Sequence, residues 1–136
     1  MTIAIALKIN DGIVLATDSA STIVGEEIED GVRPVHHTYF TADKLFNLKK
    51  GSRIGAMTWG NGSINNDSIS TLVKDFRKES EEKEYESVTA IVNDFNSFLE
   101  NKITSKTSVG FLIAGYSKGE CHPEMFLINM SIINID

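Results

Sequence analysis

The second residue, Thr2, carries two groups that together could perform nucleophilic catalysis. Its hydroxyl alone is a weak nucleophile. A free α-amine on the same residue, with an ordinary pKa of about 7.7–8.0, can accept the hydroxyl proton near neutral pH. The amine becomes free only when Met1 is removed, and the small side chain of Thr2 is compatible with cleavage by methionine aminopeptidase. Once Met1 is processed, Thr2 has both groups that an N-terminal nucleophile needs, although a threonine before a strand is by itself ordinary and does not alone predict catalysis.

The elements that must position Thr2 are two short strands and the turn between them. Apolar and small residues alternate over Thr2–Ile9, and a second β-branched run covers Ile13–Thr17 and ends in Asp18. Asn10-Asp11-Gly12 separates the runs, and Asn and Gly accept the positive φ of a tight hairpin turn. The pattern predicts a β-hairpin that begins at Thr2.

The composition limits the class of protein. The chain has 136 residues, a net charge of −6, 41% hydrophobic residues and 24% charged residues. These values are typical of one globular domain with a modest core, and the negative charge argues against nucleic-acid binding. No apolar run reaches the roughly 20 residues of a membrane span. Cys121 is the single cysteine, which permits no intrachain disulfide. We expect a cytoplasmic protein that does not bind a membrane.

The remaining pattern predicts further strands and two helices. Ser19 to Pro34 is polar and acidic, which is typical of a solvated loop or a hairpin end. From Ser63 the apolar period becomes helical, with polar caps among residues 65–67. The predicted elements are a strand at 38–48 interrupted at 42–44, a strand at 53–59, helices ending near 79 and covering 88–103, and strands at 107–116 and 124–130. This order predicts an α+β fold with a helical pair on one face of an antiparallel sheet.

Histidine and cysteine residues offer one alternative chemistry, a metal site. His36 and His37 could combine with Cys121 and His122. Their spacing matches no standard zinc pattern, so we interpret the first two as solvated loop histidines and expect no metal or other cofactor.

Three segments resemble proteasome β subunits and their bacterial relatives, which are N-terminal-nucleophile (Ntn) hydrolases. The first is Thr2 to Thr22, in which Thr2 and Asp18 lie sixteen positions apart, as in that family. The second is Ala42-Asp43-Lys44-Leu45-Phe46 and the third is Ile54-Gly55-Ala56-Met57-Thr58-Trp59-Gly60-Asn61. The resemblance extends to about Ile128.

The resemblance implies a role for each matching residue. Lys44 would lie beside Thr2 and stabilise developing negative charge, and Asp18 would pair with Lys44 and orient it. Gly60 would present its backbone N–H to the oxyanion of a tetrahedral intermediate. For substrate binding, Thr22 would offer backbone groups to an extended peptide, and Thr58 would shape the specificity pocket.

The implied fold is a four-layer αββα arrangement in a single domain, 1–136. The sequence ends at Asp136, where the family continues with an active-site loop and a second helical layer, and the family's distal Ser and its partners have no counterpart. We therefore expect a C-terminally truncated domain without the second helical layer. Its apolar sheet face would be covered by self-association.

The expected function is that of a threonine-type peptidase or amide hydrolase. By resemblance, its substrate would be a peptide or unfolded protein, its assembly a homo-oligomer or ring, and its partner an ATP-dependent unfoldase. The chain itself has no Gly-rich phosphate-binding loop. The alternative is a non-catalytic or degenerate proteasome-like subunit that acts in assembly. A small amide hydrolase acting on a metabolite is a third possibility.

Overall fold

The computed structural model describes residues 2–24, 35–40, 42–104 and 106–132. Over these residues the chain is a mixed α+β protein with ten strands and two helices. The strands are Ala4–Ile9 (β1), Gly12–Thr17 (β2), Ser21–Val24 (β3), Val35–Tyr39 (β4), Leu45–Asn47 (β5), Ile54–Gly60 (β6), Ser63–Ile64 (β7), Asp67–Ser68 (β8), Thr107–Gly115 (β9) and Glu124–Ile132 (β10). The helices are Ile69–Glu79 (α1) and Val88–Lys102 (α2).

One four-stranded sheet forms the framework. Its strands lie in the order β10-β9-β6-β5, and every neighbouring pair is antiparallel. The other strands form two-stranded pairs, β1 with β2, β3 with β4, and β7 with β8. Alternate residues of a strand point to opposite faces, so β6, β9 and β10 present one set of side chains to the helices and another to the opposite side.

Each helix begins at a serine cap and buries one apolar stripe. The Ser68 hydroxyl accepts a hydrogen bond from the Thr71 N–H at 3.1 Å, and the Ser87 hydroxyl accepts one from the Ala90 N–H at 3.1 Å. These bonds satisfy backbone donors that the first turn leaves free. The buried stripes are Ile69, Leu72, Val73 and Phe76 on α1, and Val88, Ile91, Val92, Phe95, Phe98 and Leu99 on α2.

The core lies between the two helices and one face of the four-stranded sheet. Phe95 is its centre, with its ring centroid 4.9 Å from that of Phe76 on α1 and 5.2 Å from that of Phe111 on β9. Both contacts are edge-to-face, the arrangement that aromatic rings prefer. All three rings are fully buried. The helical pair therefore packs on one face of the sheet, as the sequence predicts.

The β1–β2 hairpin lies on the opposite face of the four-stranded sheet. Its inner residues, among them Leu15, face the sheet, and a Cβ placed on Gly55 would lie only 3.3 Å from the Leu15 Cδ1. The outer residues alternate with these and are aliphatic. Ile5, Leu7 and Val14 are between 57% and 60% exposed. The hairpin therefore has one packed face and one exposed apolar face.

The structure confirms the predicted hairpin and the second helix, and it adds a strand pair that was not predicted. Ser21–Val24 lies in the segment predicted as a solvated loop or hairpin end, and it pairs with Val35–Tyr39. His36 and His37 lie in that second strand, so their interpretation as loop histidines is wrong. The polar side chains of this pair concealed its strand character, because period-2 patterning is visible only where one face is buried.

The start of the first helix is also later than predicted. A small hairpin occupies residues 63–68, with Asn65 at a φ of 54° in its turn, and the helix begins only at Ile69. Asn tolerates this left-handed conformation better than most residues. The apolar residue Ile64 is buried by this hairpin and not by a helical turn.

Two predictions concern residues outside the described part of the chain. These are the processing of Met1 and most of the predicted loop or hairpin end, residues 25–34. Within the described ranges, neither helix combines the length and the apolar character that crossing a bilayer requires.

Candidate functional site

The Lys44 ammonium joins three segments that are distant in sequence. It lies 3.2 Å from the Thr2 Oγ1 and 3.1 Å from the Asp18 Oδ1, and it also donates to the Ala20 carbonyl. The Lys44 side chain is only 9% exposed. An ammonium has three donors and no acceptor, and a buried one needs a partner for each donor. The three oxygens supply these partners.

The backbone of Lys44 is fixed by the four-stranded sheet. Lys44 directly precedes β5, and its carbonyl accepts a hydrogen bond from the Thr58 N–H of β6 at 3.0 Å. The next residue, Leu45, pairs with Met57 in the same ladder. The side chain therefore extends from a rigid edge of the sheet toward the hairpin.

Asp18 adds two further hydrogen bonds to the end of the β1–β2 hairpin, one through its backbone and one through its side chain. The Asp18 N–H donates to the Ile3 carbonyl at 3.0 Å, and the Ile3 N–H donates to the Asp18 Oδ1 at 2.9 Å. The Asp18 Oδ2 accepts from the Ala20 N–H at 3.2 Å. The backbone donor of Ile3 and then the Lys44 ammonium hold the pKa of the Asp18 carboxyl below its usual range. Asp18 therefore stays ionised near neutral pH and keeps a negative charge beside Lys44.

Thr2 is positioned by its neighbour and by Lys44. Ile3 is tied to Asp18 on both its N–H and its carbonyl, so the residue before it is held at the start of the hairpin. The Thr2 hydroxyl oxygen accepts from the Lys44 ammonium. A nearby cation lowers the energy of a developing alkoxide, which makes this hydroxyl a better nucleophile than a solvated one.

Gly60 ends β6 in a conformation that favours glycine. Its φ is +91°, and an added Cβ would lie 2.5 Å from the Ser108 carbonyl oxygen. The following Asn61 N–H donates to that same carbonyl at 2.8 Å. A larger residue at position 60 would therefore have to displace the backbone of β9.

A cleft of about 660 Å³ opens in front of these residues. Its wall is rich in hydroxyl groups and small side chains, and its charged members are Asp43 and Lys44. The lining residues are Thr2, Ala20, Ser21, Thr22, Ala42, Asp43, Lys44, Thr58, Trp59, Gly60, Asn61, Gly62, Ser63, Ser68, Ile69 and Ser70. The size is within the range of small-ligand and peptide side-chain pockets.

The two predicted binding residues occupy different positions in this cleft. Thr22 is exposed on strand β3, at the cleft wall. Thr58 is buried, and its hydroxyl donates to the Gly110 carbonyl at 3.0 Å. The Thr58 hydroxyl is therefore committed to the sheet, and this residue contributes to the cleft through its shape.

A second cavity, of about 650 Å³, meets the first at Thr2. Trp59 and Gly60 also border both cavities, while the remaining lining is largely apolar: Ala4, Ala6, Met57, Leu112 and Met125. Thr2 thus lies between a hydroxyl-rich cleft and an apolar cavity.

Three contributors to the site were not identified from the sequence. They are the Ile3 N–H, the Ala20 carbonyl and the Trp59 side chain, whose ring atoms lie 2.3–2.5 Å from the point where a Gly110 Cβ would be. Backbone groups leave no residue-type signal. The pairing of Trp59 with Gly110 across β6 and β9 becomes visible only once the strand register is known.

Within the described ranges, no three His, Cys, Asp or Glu side chains are grouped so that they could hold a metal ion. No protein-family model matches the chain, and no curated protein sequence matches it significantly.

Proposed function

We propose that the protein is a threonine-type amide hydrolase of the proteasome-like Ntn class, with Thr2 as its nucleophile after removal of Met1. The observation that carries the proposal is the contact of the Lys44 ammonium with both Thr2 and Asp18, at 3.2 and 3.1 Å. Thr2 and Lys44 are 42 positions apart, and both belong to segments that resemble the family. An exposed structural lysine would not need this set of partners.

The proposed reaction begins with attack of the Thr2 Oγ1 on an amide carbonyl carbon. The α-amine of Thr2 takes the hydroxyl proton, and the C–O bond forms as the carbonyl oxygen becomes an oxyanion. Lys44 stabilises the negative charge that develops near the attacking oxygen. The Gly60 N–H is the proposed donor to the oxyanion. The leaving amine receives the proton, and water then releases the acyl group from Thr2.

The finer description of the fold is part of the same proposal. The two helices and the four-stranded sheet would correspond to the first two layers of an αββα arrangement, and the β1–β2 hairpin to the start of the second sheet. In this arrangement the outer face of the hairpin, with Ile3, Ile5, Leu7 and Ile9 each more than half exposed, would be covered. We propose a homo-oligomer or ring as the covering assembly, peptide or unfolded protein as the substrate, and an ATP-dependent unfoldase as the partner.

A peptide epoxyketone tests the catalytic proposal, because this reagent needs both the threonine hydroxyl and the free amine. The protein is incubated with the reagent, and its intact mass is measured. We expect one adduct on a chain that lacks Met1. Thr2→Ala should give no adduct and no amide hydrolysis, while Thr2→Ser, which keeps a hydroxyl, should retain labelling. Circular dichroism confirms that each variant is folded.

Two results would contradict the proposal. Labelling or turnover that survives in Thr2→Ala would exclude Thr2 as the nucleophile. A folded wild-type chain that has lost Met1 and still gives no adduct would show that the geometry around Lys44 does not activate Thr2.

The second candidate is a non-catalytic subunit that acts in assembly. The exposed aliphatic face of the hairpin favours it, since monomeric soluble proteins rarely expose a large contiguous apolar patch. A chain that retains Met1, is inert to the epoxyketone and associates through this face would support this candidate and exclude the first.

A further inference from the structure

We infer that the hydroxyl-rich cleft binds a cationic group, and that Asp43 is the residue that selects it. This inference rests on the proposed function, because it names the side chain that the amide substrate would place in the cleft. A substrate with lysine or arginine on the acyl side of the cleaved amide bond would fit this cleft.

The two charges of the catalytic cluster are already paired. The Lys44 ammonium is nearly buried and donates to Asp18, Thr2 and the Ala20 carbonyl. The Asp18 carboxylate accepts from Lys44 and from two backbone N–H groups. The net charge of these two side chains is therefore close to zero.

Asp43 is different, although it is the neighbour of Lys44. Its side chain is exposed and lines the cleft. Among the residues that the structure describes, none forms a hydrogen bond or ion pair with it. A carboxylate that is acceptor-only and without a protein partner can accept from an ammonium or a guanidinium of a ligand.

The rest of the cleft wall supports a polar ligand group. Ser21, Thr22, Ser63 and Ser70 add hydroxyl groups, and the Ala and Gly positions leave room for a long side chain. The volume of about 660 Å³ is sufficient for an extended lysine or arginine. The overall charge of −6 favours the approach of cations and disfavours acidic substrates.

The test compares acetylated peptides that differ only in the residue before the cleaved bond, which is Arg, Gln or Glu. Hydrolysis is measured by chromatography for the wild type and for Asp43→Asn. We expect kcat/KM to be about tenfold higher for Arg than for Gln, since a charge-assisted hydrogen bond replaces a neutral one. Asp43→Asn should remove this preference by lowering kcat/KM for the Arg peptide about tenfold more than for the Gln peptide. Asp43→Lys should favour the Glu peptide.

The matched control is Asp11→Asn, which removes an exposed carboxylate from the hairpin turn and leaves the net charge equal to that of Asp43→Asn. If the control lowers the Arg preference as much as Asp43→Asn does, the effect comes from overall charge and the inference is wrong. It is also wrong if the wild type cleaves the Arg and Gln peptides equally; in that case the proposed hydrolase function still stands.

A binding measurement separates failure of the inference from failure of the proposed function. If no peptide is cleaved by any form, the proposed function fails, and acetyl-arginine amide is titrated against acetyl-glutamine amide while backbone NMR shifts of the cleft residues are followed. Tighter binding of the arginine compound that is lost in Asp43→Asn supports the inference. Equal binding of both compounds, or no shifts at the cleft, overturns it.

Discussion

The two faces of the four-stranded sheet differ in how they are packed. On one face, α1 and α2 close a core in which Phe76, Phe95 and Phe111 are fully buried. On the other face, a two-stranded hairpin covers β5 and β6, while Leu127 of β10 remains 60% exposed. The candidate site lies on this second, incompletely covered side, where Thr2 starts the hairpin. The closed face supplies stability, and the open face leaves space for a ligand beside Thr2.

The contrast extends to the type of interaction that holds each side. Apolar side chains dominate between the helices and the sheet. At the site, the hairpin is joined to the sheet by Lys44, with its three oxygen partners, and by the packing of Leu15 over Gly55. Each polar contact of this kind adds less to the free energy of unfolding than a buried aromatic ring does. Its energy depends more strictly on the relative orientation of the two groups. The following predictions test whether the helical face carries the stability of the fold and the hairpin face carries the candidate site.

Phe95→Ala should cause the largest loss of stability. Removing a fully buried aromatic ring from the closed face leaves a cavity, and we expect the free energy of unfolding to fall by about 3–5 kcal/mol. Urea unfolding monitored by circular dichroism measures this loss of free energy. The more conservative Phe95→Leu should cost less. A loss below about 1 kcal/mol for Phe95→Ala would mean that the helical face is not the main core.

Lys44→Met should weaken the link between hairpin and sheet and abolish catalysis. Methionine retains much of the lysine volume but cannot donate to Thr2, Asp18 or Ala20, so we expect a loss of about 1–3 kcal/mol in unfolding free energy. Hydrolysis and epoxyketone labelling should fall to background while the fold persists. Lys50→Met, which removes an exposed lysine nearby in sequence, is the control and should retain full activity.

The contribution of Asp18 to the free energy of unfolding should depend on pH. Its pKa is lowered in the folded protein, so its stabilising effect is fully present above the ordinary pKa of about 3.9 and is lost as the pH falls through the folded value. The difference in unfolding free energy between the wild type and Asp18→Asn should therefore shrink steadily below about pH 4. A difference that is constant from pH 7 to pH 3 would show that the charge of Asp18 does not stabilise the fold. Asp11→Asn is the exposed-carboxylate control.

Substitutions on the outer face of the hairpin should have the smallest effect on folding. Leu7 and Val14 are cross-strand partners, and both are more than half exposed. Threonine at both positions supplies a β-branched side chain suited to a strand, so the unfolding free energy should change by less than about 1 kcal/mol. Light scattering at micromolar concentration should show reduced self-association. A wild type that is monomeric, or a double variant that associates as strongly as the wild type, would mean that this face does not form the proposed interface.

The parts of the fold that could be predicted are those in which local chemistry and burial agree. Asn10-Asp11-Gly12 specifies the hairpin turn directly, and the stripe from Val88 to Leu99 has a strong helical period because one side of α2 is buried. The start of the first helix was predicted too early, within residues 63–68. A single apolar residue, Ile64, fits a helical period as well as it fits a buried position in a turn. The strand pair at Ser21–Val24 and Val35–Tyr39 is largely polar in sequence, so its strand character is decided by pairing and not by period.

Of the groups that form the candidate site, only side chains could be predicted from the sequence. Resemblance selected Thr2, Asp18, Lys44 and Gly60, and the structure brings the first three into direct hydrogen-bond contact. Their roles in catalysis stay a prediction. The Ala20 carbonyl and the Ile3 N–H depend on the path of the backbone after Asp18, which no residue type encodes. That Asp43 has no partner among the described residues depends on which neighbours reach it, and that information is also three-dimensional.

Trp59 gives this protein a built-in optical reporter. It is the single tryptophan of the chain, it is half-buried against Gly110, and it borders both cavities at the point where they meet Thr2. A ligand entering either cavity would change the polarity around the indole and so shift its emission wavelength. Occupancy of either cavity and the effect of each variant on ligand binding could thus be followed in real time, without any label.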